Sequence, residues 1–389
     1  MKAADRLARR GGILLIMNSL GRGGGDRVAM LLANGFARAG IPTRVVLMKG
    51  AAERPDLLDT AVEVVSAGSP MGLRWWRKRP KLGHQHFERL RGVRFIRRQI
   101  GSFGPAVVLA ASDNMGLVTT LARRAKDKRI VFAMKLTNRL FRPNTPAIGH
   151  RLRCRLFDFI FARLDLVLTL TDADRVDAQE HYPRRRNLFR TVANPYVTEE
   201  MLASPRASTN GPPRLLSAGR MVRQKRFDVL LRAFARINSD ALLTILGHGP
   251  LRADLERIAN RLGIADRVDM PGHGDVLASL RQSQLFVLSS NYEGLPAVIV
   301  EALAANVPVV TTDSFHAARE LLADTPPCAV VPIGDPQALA KAIDDCLSRS
   351  SSRDLCHLAE PYRIDTAIAG HIAALADAVE AQNRADTPA

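Results

Sequence analysis

Short apolar runs alternate with segments of helical periodicity along almost the entire chain. In the first half the runs at 13–17, 43–47, 106–110, 130–133 and 166–169 read as strands; in the second half those at 214–218, 242–246, 268–270, 285–289 and 307–311 do. Most are continuous rather than alternating, which predicts strands covered on both faces, as in parallel sheets. After Lys225, the residues Phe227, Leu230, Leu231, Phe234 and Ile237 recur at helical spacing, and Leu251, Leu255, Ile258 and Leu262 do so again. Both stripes predict helices that bury one face. The repeated alternation of strand and helix predicts an α/β fold with doubly wound parallel sheets.

A chain of 389 residues exceeds what one ordinary hydrophobic core organises and suits two domains. The segment 204–213 is dense in turn formers and nearly lacks large apolar side chains, so it reads as the linker. Domains are expected at 1–203 and 204–364, with a helix near 365–385 packing back on the first. Irregular stretches at 68–83 and 348–353 read as loops. Open α/β sheets bind ligands beyond the carboxyl ends of their strands, so two Rossmann-like domains facing across a cleft would hold a ligand between those ends. No apolar run approaches the roughly 20 residues that span a bilayer. The run at 13–17 follows basic residues but is short for a signal sequence and leads into a glycine loop, so a cytoplasmic location is expected.

Charge changes the picture of partners. The net charge is +18, and it is uneven: residues 1–200 hold 37 Lys+Arg against 17 Asp+Glu, whereas residues 201–389 hold 19 against 21. A basic half attracts nucleic acid, an anionic membrane surface or an acidic substrate, and charge alone does not choose. Cys154, Cys328, Cys346 and Cys356 show neither CxxC pairing nor metal-ligand spacing. Reduced thiols and no metal site are expected.

Candidate chemistry gathers after the strands of the second half. Glu293 and Glu301 stand eight positions apart astride a strand–helix junction, with Pro296 placed as the first helical residue. The amides around Gly294, Leu295, Ala297 and Val298 lack intrahelical acceptors, and the helix dipole adds positive potential, which makes a phosphate seat. Ionised carboxylates accept hydrogen bonds from hydroxyls. The segment therefore suits a ligand carrying phosphate and hydroxyls together, such as a nucleotide sugar. Gly219-Arg220-Met221-Val222-Arg223-Gln224-Lys225 follows the strand at 214–218. Its glycine lets the chain turn, while Arg220 and Lys225 offer a planar fork and a point charge to a diphosphate; Arg223 and Arg226 read as solvated. Gly247-His248-Gly249-Pro250 follows the next strand, where close backbone approach requires glycine. Gly21-Arg22-Gly23-Gly24-Gly25-Asp26 also follows a strand, but its spacing departs from GxGxxG, so NAD binding is rejected and no cofactor is expected.

Together these elements resemble the GT-B glycosyltransferases, in particular the large retaining family 4 group, glycosyl transferases group 1. The resemblance covers nearly the whole chain, strongly over 211–322 and weakly over 50–160. It rests on Gly219-Arg220 with Lys225, Gly247 with Gly249-Pro250, Ser289-Ser290-Asn291-Tyr292-Glu293-Gly294, Glu301-Ala302, Pro308-Val309-Val310 and Thr312-Asp313. Asn194-Pro195 resembles the family's hinge element. The resemblance implies that Arg220 and Lys225 hold the donor diphosphate, Glu301 the ribose hydroxyls, and Glu293 the transferred sugar or the phosphate side. It implies that Gly24 and Gly25 let the N-terminal loop close over the donor, and that no metal is needed. The chain departs from the family where Asp26 replaces a common Glu, where His248 replaces a common acid, and at Ser314-Phe315-His316-Ala317. In place of a first-domain histidine it offers Ser112-Asp113-Asn114 or Lys135-Leu136-Thr137-Asn138. Asp113 is the candidate catalytic group there, set against a helix N-cap reading.

The implied reaction moves a sugar from a nucleotide diphosphate sugar to a hydroxyl of a glycan, lipopolysaccharide or glycolipid, with retention. For a lipid-linked acceptor, Trp75-Trp76-Arg77-Lys78-Arg79-Pro80-Lys81 offers amphipathic rings beside cations, a composition suited to a membrane interface. Downstream, Leu90, Val93, Ile96 and Ile100 share one helical face and Arg91, Arg94 and Arg98 another. This reads either as an ordinary surface helix or as a peripheral dock on anionic lipid. Two alternatives stay open: a nucleotide-sugar epimerase of the same architecture, and a basic membrane- or nucleic-acid-binding protein. A recognition-helix or aromatic-interleaved RNA signature is missing, so nucleic acid is not an expected partner.

Overall fold

The computed structural model describes residues 2–21, 24–49, 57–68, 81–140, 147–203, 211–322, 325–349 and 354–386. The chain forms two compact units, Met1–Pro195 with Ile364–Ala389, and Tyr196–Arg363. The division falls after Pro195, upstream of the expected linker, of which 204–210 lies outside the described residues.

In the first unit the strands are β1 (Ile13–Met17), β2 (Thr43–Leu47), β3 (Val62–Ser66), β4 (Val107–Ala110), β5 (Val131–Lys135), β6 (Leu166–Thr169) and β7 (Phe189–Thr191). They form one sheet in the order β3-β2-β1-β4-β5-β6-β7. Every pairing is parallel, with Ile13 opposite Thr43 on one side and Val107 on the other. The second unit holds β8 (Arg214–Ala218), β9 (Leu242–Leu246), β10 (Val268–Gly272), β11 (Leu285–Leu288), β12 (Val309–Thr312) and β13 (Ala329–Val331). Its order, β10-β9-β8-β11-β12-β13, is again all parallel. Both sheets thus run third-second-first-fourth-fifth-sixth, the Rossmann-like order, with the switch point between their first and fourth strands.

Ten strands stand within a few residues of where the apolar runs predict them. β3, β7 and β13 were not predicted, and all three are sheet edges. An edge strand buries less, so its sequence need not be apolar: β3 reads Val-Glu-Val-Val-Ser with only Val62 buried, and β7 and β13 are three residues each. Central strands β1, β4, β5 and β6 are buried at every position, which accounts for their continuous Val, Leu and Ile.

Phe227, Leu230, Leu231 and Phe234 of helix Phe227–Phe234 pack with Leu215, Leu243, Ile245 and Val287 in the core of the second unit. In the first unit Val93, Ile96 and Ile100 of helix Lys81–Phe103 join Leu14, Val108 and Phe132. Those three residues face the core, while Arg91, Arg94 and Arg98 are exposed. That apolar face is therefore covered within the first unit, as in the ordinary-helix reading. The Trp75–Trp76 cluster lies outside the described residues.

Helix Ile364–Asp386 belongs to the first unit. Arg190 reaches Asp377 at 2.7 Å, and Lys135 Nζ lies 2.8 Å from His371 Nε2, both side chains fully buried. Burial pulls the Lys135 ammonium down to about 7 and, with the Lys135 charge, holds His371 well below the usual imidazole value. Among the described residues no helix is long and apolar enough to cross a membrane.

Candidate active site

Strands β8 and β11 lie side by side, and the loops leaving their carboxyl ends carry the residues of interest. Three backbone bonds stitch the neighbouring strand ends together: Gly219 N to Leu246 O at 2.9 Å, Met221 N to His248 O at 2.9 Å, and Gly247 N to Gly272 O at 2.7 Å. Gly247 has φ +134°, and a Cβ there would overlap the carbonyl of Gly219; a Cβ at Gly249 would overlap that of Met221. These two glycines are therefore required by loop-to-loop packing within the protein itself.

The loop after β8 turns back at Lys225, whose Nζ lies 2.8 Å from Glu293 Oε1, with side chains only 16% and 10% exposed. Ser290 Oγ donates to the same oxygen at 2.7 Å, and Gln224 Nε2 lies 3.4 Å from Glu293 Oε2. Two donors on one oxygen, one of them cationic, hold the carboxylate in one orientation. The backbone fixes it further: Glu293 N donates to Ser314 O at 2.7 Å, Asn291 N to Gln224 O at 2.8 Å, and Gln224 Nε2 to Tyr292 O at 2.8 Å. Arg226, in the left-handed region with φ 48°, binds Asp228 at 2.9 Å and Asn291 at 3.2 Å, so it is a structural clamp rather than a solvated charge. Arg220 is exposed, and its guanidinium has no hydrogen-bond or ion-pair partner among the described residues.

The loop carrying Gly294 and Leu295 leads into helix Ala297–Ala304. Pro296, with ψ 118°, is the extended residue just before that helix, not its first helical residue. Its φ of −67° suits either position, and ψ decides. The Leu295 carbonyl accepts from Tyr196 Oη at 3.1 Å, and the Tyr196 ring stacks on Tyr362 at 6.2 Å. Glu301, one turn into the helix, is 3% exposed.

In the first unit Gly24 and Gly25 open helix Gly24–Arg38 rather than lying in a loop, and a Cβ on either would meet open space. Asp26 Oδ2 accepts from Gly21 N at 3.2 Å, which draws the end of β1 toward the helix start. Asp113 is the first residue of helix Asp113–Ala122, with Ser112 in the N-cap position, so the N-cap reading of Asp113 is corrected. Its carboxylate accepts from Thr137 Oγ1 at 2.6 Å. The two alternative first-domain segments are thus bonded to each other, while Lys135 points into the core.

Reading the sequence placed Gln224 and Ser290 in motifs without giving them a role, and passed over Tyr196. Only Ser290 carried a local signal, three positions from Glu293; the other two act across 69 and 99 residues. His248 and His273 meet edge to face at 4.6 Å, both exposed. The four cysteines are free thiols, and no group of three His, Cys, Asp or Glu side chains suited to a metal occurs among the described residues.

Residues 201–358 match the family Glycosyl transferases group 1. The lipopolysaccharide core biosynthesis glycosyltransferase LpsE of Rhizobium meliloti (strain 1021) is 34% identical over 169 residues, covering 42% of this chain and 49% of LpsE. The chain spans about half the length of the curated relatives it matches. Among solved structures, the lipopolysaccharide outer core galactosyltransferase WaaB aligns with a TM-score of 0.71 at 16% identity, over 93% of this chain and 98% of WaaB. HepE of Anabaena, in complex with UDP and glucose, aligns at 0.67 with 18% identity, over 96% and 99%. At these identities the likeness is one of fold: two Rossmann-like parallel sheets, as in GT-B glycosyltransferases.

Proposed function

We propose that the protein is a glycosyltransferase that moves a sugar from a nucleotide diphosphate sugar to a hydroxyl of a glycan, lipopolysaccharide or glycolipid, with retention at the anomeric carbon. The observation that carries this reading is the Lys225–Glu293 pair, a half-buried lysine on a buried carboxylate, at the switch point of the second unit and within the stretch that matches Glycosyl transferases group 1. Partial desolvation of an ammonium carries a cost, and Glu293 offsets it while fixing where the ammonium points. Of its three N–H donors, one serves Glu293 and the others remain for oxygens of a diphosphate. Arg220 adds an exposed guanidinium on the same loop, and the first amides of helix Ala297–Ala304 add the dipole's positive end.

When the bond between the anomeric carbon and the diphosphate oxygen breaks, negative charge grows on the diphosphate. Preorganised cations stabilise that charge more than they stabilise the bound donor, which lowers the barrier. In this scheme Glu301 receives the ribose hydroxyls, Glu293 positions Lys225 and the transferred sugar, and Asp113 is the polar group of the first unit. HepE was solved with UDP and glucose, and LpsE and WaaB are lipopolysaccharide transferases by name; these relatives support the donor and acceptor classes. No observation favours the epimerase or nucleic-acid alternatives. The test is a thermal-unfolding panel of nucleoside diphosphates and their sugars. At a hundredfold excess over its Kd the right nucleotide adds about 2.7 kcal/mol of apparent stability; a panel spanning the common bases with no shift contradicts the reading.

A further inference from the structure

The backbone amides of Gly294, Leu295, Ala297 and Val298 have no hydrogen-bond acceptor among the described residues. Gly294 and Leu295 are buried, and Ala297 and Val298 are half-buried. Buried N–H groups without acceptors are rare and costly, so this run suits an anion that brings its own oxygens. The peptide between Leu295 and Pro296 stands in the middle of the run and is the exception. Proline carries no N–H, so this peptide has no donor to offer, and its one polar group is the Leu295 carbonyl. Turned among the amides, that oxygen would set the negative end of its dipole against a phosphate.

Tyr196 draws it the other way. Its Oη donates to the Leu295 carbonyl at 3.1 Å in a buried bond, with Tyr196 7% and Leu295 5% exposed. The ring that carries this hydroxyl is itself fixed. The amides of Tyr196 and Val197 both donate to the Tyr362 carbonyl, at 2.9 and 3.0 Å, Val197 bridges to Arg363, and the two tyrosine rings stack 24° from parallel. Tyr196 and Arg363 are the first and last residues of the second unit. The segments that enter and leave this unit therefore form the mount for one hydroxyl, which reaches across 99 positions of chain to the loop before helix Ala297–Ala304.

We infer that Tyr196 is a positioning residue for a diphosphate: its hydroxyl holds the Leu295 carbonyl out of the anion seat, so that amides alone face the phosphate oxygens. The inference rests on the donor reading above, and Tyr196 acts through Leu295. Inorganic pyrophosphate is the probe, because it carries the diphosphate without base or sugar. Its affinity for full-length wild type, Tyr196→Phe and Tyr362→Phe is measured by calorimetry, alongside the unfolding midpoint of each protein without ligand. Tyr196→Phe keeps the ring and its stack and removes only the donor. It loses about tenfold in pyrophosphate affinity, the worth of one net hydrogen bond, while its midpoint falls by a few degrees at most. Tyr362→Phe, which removes the neighbouring hydroxyl, keeps wild-type affinity. Equal affinity in wild type and folded Tyr196→Phe overturns the inference and leaves the donor reading standing. An equal loss in Tyr362→Phe assigns the effect to the mount and also overturns it. Wild type that binds neither pyrophosphate nor any nucleotide of the thermal panel contradicts the donor reading, and the inference falls with it.

Discussion

The two units repeat one strand order yet place different chemistry at equivalent points. In the second, the loop after β8 supplies Lys225 and the loop after β11 supplies Glu293, joined at 2.8 Å with little exposure. In the first, the corresponding loop after β1 leads to Asp26, bonded to the Gly21 amide, and the one after β4 leads to Asp113, bonded to the hydroxyl of Thr137. One switch point holds a cation restrained by an anion; the other holds carboxylates restrained by neutral donors. Topology supplies two crevices, and side chains decide which can seat a diphosphate.

The largest effect expected concerns the glycines that follow the strands. Gly247→Ala forces a side chain at φ +134° into the Gly219 carbonyl, and should destabilise the second unit by about 3 kcal/mol or more. Urea unfolding measures it, and wild-type stability would break the claim that loop packing demands this glycine.

Next comes the end of the fifth strand of each unit. In β12, Thr312 Oγ1 bonds the Ser290 carbonyl at 2.6 Å, whereas in β5 Lys135 is buried against His371. In the unfolded chain a lysine titrates near 10.4, but folded Lys135 does so near 7. The unfolded state therefore binds more protons between those values, and stability rises with pH across that window. The penalty on the charged amine is full below it, and His371, whose folded value is also lowered, costs further stability as pH falls below about 6.5. Lys135→Met should flatten the rise above pH 7 and stabilise the neutral-pH protein by about 1–4 kcal/mol; an unchanged pH profile of unfolding would contradict it.

Glu301→Ala should weaken nucleoside diphosphate binding by about 1.5–3 kcal/mol through lost charge-assisted hydrogen bonds. Calorimetry with unchanged affinity would remove Glu301 from the ribose. The smallest effect is that of Gly24→Ala, which has open space and a helical position and should stabilise by at most about 1 kcal/mol. If this folded variant nonetheless loses donor binding, the role of Gly24 lies in approach to the ligand.

Central strands were legible because burial on both faces writes a continuous apolar run. Edge strand β3 was not, since only Val62 of its five residues is buried. The pairing of Lys225 with Glu293 was half legible: the two stood out separately, but nothing local says that a cation and an acid 68 positions apart will bond. Lys135 and His371, 236 positions apart, show the same limit. The α-helical period at 148–159 was visible in principle, but the period does not reveal which face meets solvent, and Phe157, Ile160 and Phe161 compete for the core.

The central claim is that cations and a helix terminus in the second unit stabilise the departing diphosphate. Its most direct test is turnover of the nucleotide sugar identified by thermal unfolding, measured in excess chelator for wild type, Lys225→Ala and Arg220→Ala. The account predicts that wild-type turnover survives chelation and that each folded variant slows by about 10²–10³-fold, the usual cost of one such donor. Activity abolished by the chelator, or folded variants that keep nearly the full rate, would contradict it.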